Sequence, residues 1–130
     1  MGDTVRVLGA NTFKTVTATA SGDTAIWTPT TGKRFCLFAY MIQVTSDASV
    51  TASGQVIDIV LRDGTTATAA AFSQYVPGTA ATTFGNSAST GWIDLGSGIV
   101  SAAVNNVLNV NLSAALSSGK ARVVVAGLEV

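Results

Sequence analysis

Two aspartates, Asp58 and Asp94, stand inside otherwise apolar runs. A pair of carboxyl groups about 5 to 9.5 Å apart, one with a raised pKa, is the machinery of glycoside hydrolysis. An Asp that interrupts a strand-like run lies more often on the wet face, and that is the preferred reading for both. Gly96-Ser97-Gly98 opens like a dinucleotide-binding loop, but Ser101 stands at the third glycine position and no helical pattern follows. Asp63-Gly64 reads as a hairpin turn, because a calcium site needs six or more oxygens and the neighbouring sequence supplies few acids. The lone Cys36 sits in the most apolar segment, where a thiol packs as a small hydrophobe and its pKa rises. Trp27, Tyr40, Tyr75 and Trp92 are aromatic faces on which a sugar can stack, yet they fall in four separate segments, which suits core and interface anchors better.

What is missing narrows the chemistry further. There is no histidine, so Ser-His-Asp and Cys-His pairs and imidazole metal ligands are excluded. One cysteine makes neither an intrachain disulfide nor a thiolate zinc site. The expectation is a non-enzymatic protein with no cofactor and no metal. Seven basic and seven acidic side chains give zero net charge, which lacks the basic excess that nucleic-acid binding uses to release counterions. No apolar run approaches the ~20 residues of a membrane span or forms a signal-peptide core, so neither nucleic acid, membrane nor export is expected. Arg6 breaks a myristoylation match, and Asn111-Leu112-Ser113 fits a glycosylation triplet only by coincidence when no secretion signal precedes it.

The elements that position these residues are strands. The 130 residues are 48% hydrophobic but only 11% charged, with a mean hydropathy of +0.46. Thr, Ser, Ala, Val and Gly dominate while helix formers are scarce, so a single all-β domain is expected. From Thr12 to Ala20 the pattern alternates, with Val16, Ala18 and Ala20 on one side and Thr15, Thr17 and Thr19 on the other, and a short strand at Ala25 to Trp27 stops at Pro29. Between Arg34 and Val44, Phe35, Leu37, Ala39 and Met41 alternate with Cys36, Phe38, Tyr40 and Ile42, so both faces are apolar. Such a strand belongs in the middle of a sandwich, at a subunit contact, or both.

Gln55 to Arg62 places Ile57, Ile59 and Leu61 inward and leads through the Asp63-Gly64 turn to a strand from Thr66 to Phe72. Pro77 to Thr90 reads as a long surface loop carrying Phe84. A strand from Gly91 to Gly96, a turn from Gly98 to Asn106, a strand with Leu108, Val110 and Leu112 inward, and a last one with Ala121, Val123 and Val125 inward complete the chain. Seven to nine strands at this spacing indicate a sandwich or barrel. Met1 to Lys14 reads as an N-terminal arm and residues 15–130 as the β-sandwich domain.

The run Gly91-Trp92-Ile93-Asp94-Leu95-Gly96-Ser97-Gly98, then Asn105 to Ser113, then Gly119 and the closing Val123-Val124-Val125-Ala126-Gly127-Leu128-Glu129, resembles small jelly-roll structural proteins of tailed bacteriophages. The nearest are the head decoration, or cement, proteins. That resemblance implies a jelly-roll-like sandwich, made in the host cytoplasm, that trimerises on the exterior of a capsid and clamps neighbouring subunits of the major capsid protein lattice. It transfers no catalytic residue. The expected interface residues are Val5, Val7 and Phe13 on the arm, Phe38 and Tyr40 on the doubly apolar strand, and Phe84 on the loop. A receptor-binding tail appendage recognising a host surface glycan is the alternative from another class.

Overall fold

Alternating β-branched and small residues hold the backbone extended. The computed structural model describes residues 10–46, 55–76, 86–116 and 119–130. They form nine strands: β1 (Thr12–Ala18), β2 (Gly22–Trp27), β3 (Phe35–Ser46), β4 (Gln55–Asp63), β5 (Thr66–Val76), β6 (Asn86–Ser89), β7 (Ile93–Val100), β8 (Leu108–Leu112) and β9 (Gly119–Glu129). No helix occurs among the described residues.

Strand pairing is nested. The innermost hairpin, β4 with β5, turns at Gly64-Thr65, where Asp63 pairs with Thr66 and Gly64 takes a φ of 61°. The turn thus lies one residue beyond the expected Asp63-Gly64. Outside it β3 pairs with β6 and β7, β2 with β8, and β1 with β9, every pair antiparallel. A chain doubled at one hairpin and wound so that its two arms alternate between two sheets is a jelly roll. Sheet A has the order β1-β9-β3 with β6 and β7 along the far edge of β3, and sheet B has the order β2-β8-β4-β5.

The expected inward sets are buried: Ile57, Ile59 and Leu61 from β4, Leu108, Val110 and Leu112 from β8, and Ala121, Val123 and Val125 from β9. Trp27 and Phe35 pack in this core with ring centroids 5.9 Å apart. Several strand boundaries differ from expectation. β1 starts at Thr12, so Thr12 to Lys14 pair with Gly127 to Val125 as sheet rather than arm. The Ser-Ala-Ser run of β6, inside the expected loop, gains its partners from the edge of β3, Gln43 to Ser46. β7 continues to Val100 because Gly96 and Gly98, with φ of 66° and 92°, let the strand bulge and resume. β5 likewise runs on to Val76.

A difference within β3 decides which residues face where. β3 carries an extra residue at Phe38: Leu37 pairs with Gly127 and Ala39 with Ala126, so two residues of β3 stand against one step of β9. This β-bulge resets the alternation. Phe35 and Leu37 face the core before it, and Tyr40, Ile42 and Val44 face the core after it. Tyr40 is therefore a core residue, not the interface residue expected from simple alternation.

Candidate functional site: the outer face of sheet A

Residues opposite one another in a sheet share a face, so the register defines the surface that sheet A turns away from the core. One row carries Leu128, Cys36 and Val100; the next Phe13, Ala126, Ala39 and Asp94; the next Thr15, Val124 and Met41. Phe38, at the bulge, lies over Gly98 beside the Cys36 sulfur, where even a Cβ on residue 98 would come within 2.7 Å of its ring. Val130, two residues beyond Leu128 on the same side, stands opposite Arg34, its N–H donating to the Arg34 carbonyl and its carbonyl accepting from the Arg34 N–H. Phe13 is 63% exposed, Val130 54% and Val100 51%. Trp92, just before β7, is 45% exposed. These are four of the six large hydrophobic side chains exposed among the described residues.

Sheet B turns a different surface outward. Arg62 Nη1 donates to Asp23 Oδ1 at 3.1 Å, and Asn111 Nδ2 donates to the same oxygen at 2.8 Å. Asn109 Nδ2 donates to the Gly64 carbonyl at 3.0 Å, and Ser73 Oγ to Asp58 Oδ1 at 2.6 Å. These polar side chains are joined by hydrogen bonds across the strands, beside the exposed Val56 of β4. An antiparallel sheet with one solvated face is the ordinary arrangement. Sheet A is the unusual layer, because its outer face also carries a run of apolar residues, Phe13, Met41, Val124, Leu128 and Val100, with Gln43, Lys120 and Arg122 beyond them.

The catalytic candidates are not brought together. Asp58 lies on the outer face of sheet B and Asp94 on that of sheet A, on opposite sides of two layers that pack about 10 Å apart before the outward side chains are added. No single glycosidic bond fits between them. Trp27 and Tyr40 are in the core, while Trp92 is half-exposed, so no sugar platform forms among these three; the Tyr75 side chain is outside the described residues. Gly96-Ser97-Gly98 is the β7 bulge. Cys36 is buried, and desolvation raises its thiol pKa, away from a reactive thiolate. Among the described residues no three His, Cys, Asp or Glu side chains converge on a metal-sized site. Of the expected interface residues, Phe13 and Phe38 lie on the outer face, Tyr40 lies in the core, and Val5, Val7 and Phe84 lie outside the described residues.

Two carboxylates brace the strands that carry this face. Asp63 Oδ1 accepts from Ser101 Oγ at 2.7 Å and Asn106 Nδ2 at 3.0 Å, while Oδ2 accepts from the Ala102 N–H at 2.7 Å. The β4–β5 hairpin is thereby tied to the segment that leaves β7. Glu129 accepts from Trp27 Nε1 at 3.0 Å and from the Thr30 N–H, joining the end of β9 to the end of β2. The bond from Trp27, followed by that from Thr30, holds the Glu129 carboxyl below its ordinary pKa. Met41, Val124, Leu128 and Val100 complete the face without having been singled out by sequence. The available signal was the double apolarity of Val123 to Ala126, the same feature that marked β3. Comparison with known protein families and with characterised proteins returns no match.

Proposed function

We propose that this protein is a non-enzymatic virion structural protein, a decoration or cement protein that binds the exterior of an assembled capsid as a trimer and stabilises it. The observation that carries the reading is the contrast between the layers. A β-sandwich that functions alone in water needs one apolar face per sheet, and sheet A has two. On its outer side Cys36, Ala39 and Ala126 are already buried, and Phe13, Val100 and Val130 carry the exposed apolar surface, the kind that marks contact with other protein. The nested jelly-roll pairing agrees with the resemblance to phage head decoration proteins, although fold by itself does not assign a role.

The physical effect is linkage. A molecule that binds only the intact lattice stabilises it by RT ln(1 + [L]/Kd), about 2.7 kcal/mol per site at a hundredfold excess over Kd. Three weak contacts in one trimer add through effective concentration. Purified protein added to shells that lack it is expected to bind saturably and to raise the temperature of genome release. Binding to host cells or glycans, with none to shells, would replace this reading with the receptor-binding one.

A further inference from the structure

Zero net charge conceals a separation of charge between the two layers. Five of the seven cations, Lys14, Lys33, Arg34, Lys120 and Arg122, lie on or at the entrance to the strands of sheet A, against Asp94 and Glu129 among the described residues. Glu129 is already engaged by Trp27 and Thr30 and lies near Lys14. In sheet B the balance reverses, with Asp23, Asp58 and Asp63 against Arg62. The cations of sheet A are exposed, and among the described residues none of them forms an ion pair within 4 Å, whereas Arg62 of sheet B does. Lys120 and Arg122 stand on the outer face itself, in line with Val124 and Ala126 along β9.

We propose that the outer face of sheet A is the lattice-binding face of this protein and that its partner is an acidic protein surface: apolar at the centre, with carboxylates at the rim opposite Lys120, Arg122 and Arg34. The proposal rests on the decoration reading and specifies which face docks and what chemistry meets it. Four strands about 4.8 Å apart and eight residues of about 3.4 Å give a face of about 500 Å² in projection. With its rim this approaches the roughly 800 Å² per partner of a stable interface. A second copy meeting the same face would set like charges against each other, which costs affinity, so the face is assigned to the lattice and not to contacts among sister copies. An anionic membrane is recognised by clusters of four to eight adjacent basic residues, and here the cations are spread along both ends of a flat apolar sheet. Nucleic acid draws on phosphate contacts without needing an apolar centre.

The test uses full-length protein titrated onto shells that lack it, at low and at high salt, with folding followed by circular dichroism and melting temperature. The double variant Lys120→Glu/Arg122→Glu is expected to weaken binding about tenfold or more, and the milder Lys120→Gln/Arg122→Gln to weaken it less, without unfolding. Asp58→Lys, on the other sheet, is expected to bind within about twofold of wild type. Carbodiimide, which joins amines to carboxylates at contact distance, should couple Lys120 to coat acidic residues in wild-type complexes. If wild type binds and both double variants bind equally well, this face is not the docking face, although the decoration reading stands. Loss of binding by Asp58→Lys alone would move the site to sheet B. Failure of wild type to bind shells overturns both readings. Salt-sensitive binding of wild type to duplex DNA that the double variant abolishes, without the coat cross-link, would overturn the protein partner.

Discussion

Replacing Gly127 by Ala tests whether the close approach of β9 to the β3 bulge is a requirement of the fold. Gly127 does not have the positive φ that favours glycine, so its backbone alone accepts an L-residue. The obstacle is contact: a Cβ there would lie 2.0 Å from the Cys36 carbonyl oxygen and 3.1 Å from Cζ3 of Trp27. Ordinary contact begins at 3.4 Å, so the strands would have to part by about 1.4 Å at a point where Leu37 pairs with Gly127. That movement breaks about two ladder hydrogen bonds, worth about 1 kcal/mol each, and overpacks the core at Trp27 by a further 1 to 3 kcal/mol. A total of about 3 to 5 kcal/mol corresponds, at about 4 °C per kcal/mol for a domain of this size, to a melting temperature lower by about 12 to 20 °C. Gly32 is the control, since its φ is 85° but nothing lies within 4 Å of its Cβ position. Gly32→Ala should cost only the left-handed penalty of about 1 to 2 kcal/mol. Thermal melts followed by circular dichroism and Trp fluorescence make the comparison. A Gly127→Ala melt within about 3 °C of wild type, or a larger loss for Gly32→Ala, would show that the strands yield there and that the reasoning is wrong.

Asp63→Ala removes three accepted hydrogen bonds and should cost about 3 kcal/mol in urea unfolding; a cost below 1 kcal/mol would mean the clamp is idle. Because the folded-state pKa of Glu129 is depressed, its contribution to stability is present above about pH 4.5 and is lost as pH falls through the lower folded value. Glu129→Gln should therefore narrow the gap between melting temperatures at neutral and acid pH, and an unchanged gap would count against the Trp27 bond. Deleting Phe38 leaves Leu37, Ala39 and Tyr40 in regular alternation, so the core registers of β3 survive and cooperative unfolding should persist. Loss of a cooperative melt would show that the bulge itself is essential.

Regular alternation was readable wherever one parity was polar. Asp58 and Arg62 in β4, Asn109 and Asn111 in β8, and Arg122 in β9 fix which side faces water, and their partners are buried as expected. In β3 both parities are apolar, so nothing in composition distinguishes a regular strand from one reset at Phe38, and Tyr40 was accordingly placed on the wrong side. β6 is Asn-Ala-Ser-type sequence with no strand preference of its own; its extended form is supplied by the free edge of β3. Gly96 and Gly98 read as terminators because glycine usually punctuates strands, whereas here they allow β7 to bulge opposite Phe38 and continue. The charge separation was invisible until each strand had a layer. Neither Lys120 nor Arg122 carries information about sidedness alone, and a net charge of zero hides a positive sheet A and a negative sheet B.

The central place of β9 also orders events in time. Sheet B is complete in sequence by Leu112, but in sheet A the strand between β1 and β3 is the one translated last. Until residue 129 has left the ribosome, β1 lacks the strand it pairs with and β3 has one open edge. Synthesis at about 5 to 20 residues per second leaves that edge waiting for seconds after β3 emerges. A nascent or prematurely terminated chain therefore has no finished sheet A, and the row from Lys120 to Leu128 does not yet exist as a surface. Emergence of β9 from the ribosome is the step that creates the face, so a chain stopped before β9 does not carry it.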